Sequence, residues 1–204
     1  MLYDESEYEY TLKLLILGGS SVGKSNFICR FIENKFCDYH IASTGLELKT
    51  SEISINNKKI RVQLWDTVGQ DKYKSITKSL FPKVQGIIAM FDLTNEDSFE
   101  KIKSWIKLIK EENGNRTPII LVGNKADLED LIIISENEIN KYVNKQQIPY
   151  IMTSSKTNLN VQKAVNIICQ EVLSLYKEDK LDCSFNLSLP ESSMIKRSRC
   201  CSKS

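Results

Sequence analysis

The sequence has a single histidine, His40, within a polar stretch. One imidazole cannot build a metal cage, and in that setting it reads as a solvated loop residue. No apolar run approaches the roughly 20 residues that a membrane span requires, and the acidic start, residues 1–9, lacks the charged and apolar regions of a secretory signal. Position 2 is Leu, which removes the myristoylation signal. These absences lead to the expectation of synthesis and residence in the cytosol. Charge of one sign is also missing: 28 basic and 26 acidic residues leave a net charge of +2, which offers no support for a nucleic-acid-binding face. The six cysteines have neither CxxC spacing nor the density of a disulfide scaffold. Cys29 and Cys169 lie among apolar neighbours, where a small buried hydrophobe is expected.

What is present is the composition of a globular protein, 41% hydrophobic and 26% charged, in a chain of 204 residues. That length suits one domain of about 150 to 180 residues with a tail. Apolar runs near 12–17, 87–91, 119–122 and 148–152 alternate with segments of helical spacing, including 26–33, one marked by Ile102, Trp105, Ile106 and Ile109, and one marked by Val161, Ala164, Val165, Ile168 and Val172. This pattern predicts an α/β fold: a mostly parallel sheet between helices, with six strands and about five helices. Ile53, Ile55, Ile60, Val62 and Leu64 alternate on either side of Asn56-Asn57, predicting a hairpin that supplies the one antiparallel element. After about residue 177 the periodicity stops, and the remainder reads as a flexible tail.

Gly18-Gly19-Ser20-Ser21-Val22-Gly23-Lys24-Ser25 matches G-x-x-x-x-G-K-[ST] between a predicted strand and a predicted helix. The glycines let successive N–H groups curl toward phosphate oxygens, Lys24 spans the β and γ phosphates, and the Ser25 hydroxyl is a ligand for Mg²⁺. A chance Gly/Ser-rich turn is the plain alternative. The string alone names neither base nor reaction, because kinases and ATPases share it.

Asn124-Lys125-Ala126-Asp127 follows the predicted strand at 119–122 and falls at the carboxyl edge of the sheet, where open α/β sheets bind ligands. A carboxylate there accepts hydrogen bonds from guanine N1–H and N2–H₂, a donor pair that adenine lacks, so Asp127 would select guanine. Thr153-Ser154-Ser155-Lys156, after the strand ending near 152, can reach the guanine O6 through its backbone. Trp65-Asp66-Thr67-Val68-Gly69-Gln70 closes the hairpin's second strand. Asp66 is expected to hold Mg²⁺ through water, Gly69 to offer its N–H to the γ-phosphate, and Gln70 to orient an attacking water. A buried Trp before an ordinary Asp-Thr turn is the plain alternative.

In this order, these motifs resemble the Ras superfamily of small GTPases over about residues 10–176. Within it the chain is most similar to the Rab family: Lys72-Tyr73-Lys74-Ser75-Ile76 resembles the Rab segment after the catalytic Gln, Asn95-Glu96-Asp97-Ser98-Phe99 the Rab helix start, and Thr44-Gly45-Leu46-Glu47-Leu48 the effector segment. The resemblance implies that Phe36 stacks on guanine and that Ser43, where the family has Thr, meets Mg²⁺ and the γ-phosphate. It implies that Leu48, Trp65 and Tyr73 form an apolar triad read by effectors, although packing alone would also explain them. Near its end the tail carries the pair Cys200 and Cys201, as Rab tails do, implying prenylation of both beside the basic Lys196, Arg197, Arg199 and Lys203; Cys201-Ser202-Lys203-Ser204 also formally fits C-a-a-X without aliphatic residues, and two unmodified thiols are the plain alternative.

The divisions expected are an extension at 1–9, a GTP-binding domain at 10–176 and a hypervariable tail at 177–204. Mg²⁺ is the expected cofactor with GTP or GDP. Expected partners are an exchange factor, a GTPase-activating protein, effectors and prenyl-delivery or GDI-type proteins, with a monomeric domain attached through its tail to the cytosolic face of an intracellular membrane. Val68 for the usual Ala, Asp71 for Glu, and Phe81-Pro82-Lys83 for Tyr-Arg-Gly depart from the family. Val68 and Ser43 motivate a rival reading, a binding module that holds GTP and hardly hydrolyses it. A P-loop phosphotransferase is a further rival, disfavoured because no acceptor domain or lid remains once the motifs are placed.

Overall fold

The computed structural model describes residues 8–37, 46–67, 77–114 and 116–178, with side chains to residue 175. Its strands are β1 (Tyr10–Leu17), β2 (Glu47–Ile55), β3 (Lys58–Asp66), β4 (Gly86–Asp92), β5 (Ile119–Asn124) and β6 (Tyr150–Met152). Four α-helices lie among the described residues: α1 (Lys24–Glu33), α2 (Glu96–Asn113), α3 (Glu136–Gln146) and α4 (Val161–Glu178). The fifth helix of the sequence count is not among them. The strands form one sheet in the order β2-β3-β1-β4-β5-β6, with only β2–β3 antiparallel and β2 at the edge.

The hairpin forms where expected because Asn56 (φ 52°) and Asn57 (φ 63°) both take the left-handed conformation that a tight two-residue connection requires. Its first strand begins at Glu47, well before the alternating isoleucines; residues 47–50 are exposed and carry no apolar–polar alternation.

Both faces of the parallel strands are covered, so β1, β4 and β5 read as nearly unbroken apolar runs. Successive residues serve opposite layers. Leu12, Leu14 and Ile16 of β1 pack with Phe27 and Ile28 of α1 and with Ala164, Val165 and Ile168 of α4. Leu15 and Leu17 face the other layer, with Phe99, Ile102 and Ile106 of α2 and Ile139 and Val143 of α3. α2 begins at Asn95, whose side chain accepts from the Ser98 N–H, and α3 at Ser135, whose hydroxyl accepts from Glu138 N–H. Each therefore has a side-chain cap and acidic residues in its first turn.

Because five strands run parallel in neighbouring pairs, their carboxyl ends open on one edge. β1 lies between β3 and β4; the chain runs from β1 out to β2 and β3 on one side and then crosses to β4 on the other, so the loop after β1 lies at the switch point of the sheet. No helix among the described residues is long and apolar enough to cross a membrane.

Phe99 is fully buried, with its ring centroid 4.7 Å from that of Phe91 and 5.8 Å from that of Tyr142. Phe99→Ala is expected to lose about 3 to 5 kcal/mol of stability. Urea unfolding should show a lower midpoint at unchanged slope, and a loss below about 1 kcal/mol would mean that this layer does not hold the sheet.

Candidate functional site

The loop after β1 enters α1 without a side-chain cap. Gly23 caps the helix in the left-handed region at φ 99°, its C=O accepts from Phe27 N–H at 2.8 Å, and no acidic residue occupies the first turn. The helix therefore points its amides and positive dipole end at the carboxyl edge with no acid in its own first turn to meet them, a geometry that suits phosphate. Side chains are excluded where this loop touches its surroundings. A Cβ on Gly18 would come within 2.4 Å of the Met90 carbonyl oxygen, and one on Gly23 within 2.4 Å of Asn124 Nδ2. Ser21, at φ 63°, is also left-handed, while Val22 is buried at 1% exposure and Ser20 is exposed.

Lys24 is 6% exposed, and its ammonium donates to the carbonyls of Gly18 (3.1 Å) and Gly19 (2.8 Å), so its charge lies against the loop. Burial pushes it down to about 8, against a smaller upward pull from the Asp66 carboxylate. The Ser25 hydroxyl donates to Asp66 Oδ2 at 2.6 Å, joining the start of α1 to the end of β3. This oxygen-only pair at the carboxyl edge of the sheet fits a hard cation such as Mg²⁺. Thr67 donates through its hydroxyl to the Ile16 carbonyl at 2.7 Å, anchoring the chain before residues 68–76.

The residues expected on the base side converge on one side chain. Asn124 is 2% exposed; its Nδ2 donates to the Val22 carbonyl at 2.9 Å, and its Oδ1 accepts from Thr153 Oγ1, Ser155 N and Ser155 Oγ, each at 3.2 Å. Asn124 thus ties the loops after β1, β5 and β6 together, and acts as a positioning residue. Ser154 Oγ donates to Asp127 Oδ1 at 2.5 Å and accepts from Thr157 N–H, which orients the half-exposed carboxylate. Lys125, left-handed at φ 66°, pairs through Nζ with Asp92 Oδ2 at 2.6 Å.

Several contributors carry no motif. Asp92, at the end of β4, is buried; its Oδ1 accepts from the N–H and hydroxyl of Thr94, leaving Oδ2 to anchor Lys125. Its only sequence signal is an acid at the end of an apolar run. Arg30 of α1 donates to the carbonyls of Ser155 (2.9 Å) and Lys156 (3.0 Å), holding the loop after β6 from outside. Asn26 exchanges two hydrogen bonds with the backbone of Cys37, both at 3.1 Å, and so fixes the segment carrying half-exposed Phe36.

One expectation changes. Cys169 is fully buried as expected, but Cys29 is only partly buried, because its side of α1 faces the 34–37 segment rather than the core. Of the triad expected to be read by effectors, Trp65 is 7% exposed and packs among Leu15, Leu17 and Phe81, while Leu48 opposite is 45% exposed. Ser43, Gly69, Gln70, Tyr73, Cys200 and Cys201 lie outside the described residues.

Asn124→Ala is expected to destabilise the protein by about 2 to 4 kcal/mol, because buried groups on neighbouring loops lose their partners at once. Chemical denaturation checks this. A change below about 1 kcal/mol would show that the three loops hold their places without the amide.

A family model described as the Ras family matches residues 13–174. The chain is 35% identical to the Ras-related protein Rab-3C of Bos taurus over 179 residues, covering 86% of this chain and 79% of that one. It is 36% identical to Rab-13 of Mesocricetus auratus, covering 81% and 82%, and 33% identical to human Rab-3A, covering 82% and 78%. With its sheet, its loop before α1 and its base-side loops, the chain belongs to the Ras family of small GTPases and is Rab-like within it.

Proposed function

We propose that this protein is a guanine-nucleotide switch that binds GTP or GDP with Mg²⁺, hydrolyses GTP slowly, and recruits effectors in its GTP state to regulate membrane traffic. The observation that carries the reading is the convergence on one sheet edge of the Lys24–Ser25–Asp66 cluster and the Asp127–Ser154 pair, tied together by Asn124.

In this reading the amides of 18–25 and the Lys24 ammonium bind the phosphates, while Phe36 and the Lys125 stem flank guanine and Asp127 accepts from its N1–H and N2–H₂. Ser25 and Asp66, with Ser43, would hold Mg²⁺. When bound, the ion supplies neutralisation of charge on the β- and γ-phosphate oxygens. Gln70 orients water in line with the terminal phosphate, and Gly69 N–H and the Ser43 backbone meet the γ-phosphate, so its loss releases the segments about 34–47 and 67–79. No arginine lies just N-terminal to Ser43, and Arg30 is committed to the loop after β6. Intrinsic hydrolysis should therefore be on the order of 10⁻⁴ to 10⁻³ per second, with an activating protein needed for speed. The domain spans 10–176. Prenyl groups on Cys200 and Cys201 of the 177–204 tail would provide the second anchoring signal that stable membrane attachment requires.

Base selection is tested by Asp127→Asn. The amide oxygen can keep the Ser154 hydrogen bond, but its NH₂ opposes the guanine donors and matches the acceptor at position 2 of xanthine. Preference should move from GTP toward XTP by at least about 10²-fold in competition binding. Unchanged GTP affinity would remove Asp127 from the base site.

Lys24 gives a pH signature. Its folded-state value near 8 lies below the ordinary lysine value, so the free protein loses this proton as pH rises through about 8. A facing phosphate favours the charged form, so nucleotide binding above that pH takes up a proton and weakens as pH rises. Calorimetry at about pH 9, in buffers of different ionisation enthalpy, should report uptake approaching one proton in the wild type and none in Lys24→Met. No uptake in the wild type would contradict the assignment of Lys24 to the phosphates.

A further inference from the structure

Cys29 lies one helical turn beyond Asn26, so the two share a face of α1. Asn26 holds the backbone of Cys37 from both sides, Nδ2 donating to its carbonyl and Oδ1 accepting from its N–H, each at 3.1 Å. The chain reverses at Asn34, which takes the left-handed conformation (φ 54°) after α1 and donates its N–H to the Arg30 carbonyl at 3.1 Å. Residues 34–37 therefore return along the helix face that carries Cys29. Burial first, and then the neighbouring Cys37 thiol, raise the Cys29 thiol above its ordinary value; Cys37 is exposed and Cys29 partly buried, with Glu33 and Lys49 as the nearby charges.

We propose that Cys29 and Cys37 are a modification site, a dithiol that a peroxide converts to a reversible intramolecular disulfide, fastening the Phe36–Cys37 segment to α1. The exposed Cys37 sulfur attacks the peroxide O–O bond as thiolate, giving a sulfenic acid and releasing one oxygen as water once protonated. Cys29 sulfur then attacks the Cys37 sulfur; the S–O bond breaks, the second oxygen leaves as water, and Cys29 gives up its proton. Two thiols and one hydrogen peroxide become one disulfide and two waters, and a thiol reductant reverses the change. In a reducing compartment such a bond is transient and serves sensing rather than stability.

The functional consequence rests on the proposed nucleotide reading, in which Phe36 covers the guanine. A covalent tie at the next residue removes backbone freedom that Phe36 needs in order to lift away. Nucleotide release should slow by about fivefold, the effect of removing roughly one residue's freedom.

The full chain, fully reduced and then treated with near-stoichiometric hydrogen peroxide, should lose about 2 Da. Trypsin without reductant cuts after Lys24, Arg30, Lys35 and Lys49, so the 25–30 peptide should be found joined to the 36–49 peptide. The joined species should vanish with dithiothreitol and be absent from Cys29→Ser and Cys37→Ser. Recovery of Cys37 as sulfinic or sulfonic acid with the 25–30 peptide unmodified, or linkage of Cys37 to another cysteine instead, would overturn the site. Release of a fluorescent guanine nucleotide from oxidised and reduced protein tests the consequence; equal rates with the link formed would overturn the coupling to Phe36. Failure of the reduced protein to bind guanine nucleotide would instead overturn the function proposed above, and the peptide result would be unaffected.

Discussion

The side chain of Asn124 is the constraint on which the candidate site depends. It is buried at the end of β5, donates to the loop that precedes α1, and accepts from the loop that follows β6. Neighbouring backbone bonds reinforce it, with Ala126 N–H donating to Thr153 O at 3.0 Å and Thr153 N–H to Gly123 O at 2.8 Å. Phosphate-side and base-side loops are thereby held in one spatial relation, so a nucleotide meets a prearranged surface at little ordering cost. The same packing explains why position 23 must be glycine: its Cα lies against the Asn124 amide, and its positive φ turns the chain into α1.

Around this tie the molecule divides into a rigid part and the segments attached to it. β1, β4 and β5 are buried in both layers, and α1 and α4 close one layer over them. Arg30, Asn26 and Thr67 extend that rigidity outward, each placing a point where a functional segment begins: the loop after β6, the stretch after Phe36, and the stretch after Asp66. The switch proposed above would need such fixed points of attachment.

Much of this was legible in the sequence, for physical reasons that differ by element. Strands covered on both faces announce themselves as apolar runs, and the Asn56-Asn57 connection has the residue type that its left-handed backbone demands. The beginning of β2 was not legible, because residues 47–50 are exposed and carry no alternation. The phosphate and base loops could be read because their chemistry requires particular residues at close spacing. Arg30 and Asp92 could not, since what each contributes to the site runs through hydrogen bonds or an ion pair to residues far along the chain. Trp65 was ambiguous for the opposite reason: an apolar residue at the end of a strand serves a core as readily as a docking face, and here it is 7% exposed.

The central claim is that the prearranged edge holds a guanine nucleotide with Mg²⁺. The most direct measurement is the nucleotide carried by the purified full chain, released by denaturation and identified by chromatography and mass. The account predicts GDP or GTP at close to one per chain, lost when Mg²⁺ is chelated and regained when guanine nucleotide and Mg²⁺ are returned together. Adenine nucleotide in its place, or a folded chain that takes up no guanine nucleotide in the presence of Mg²⁺, would contradict it.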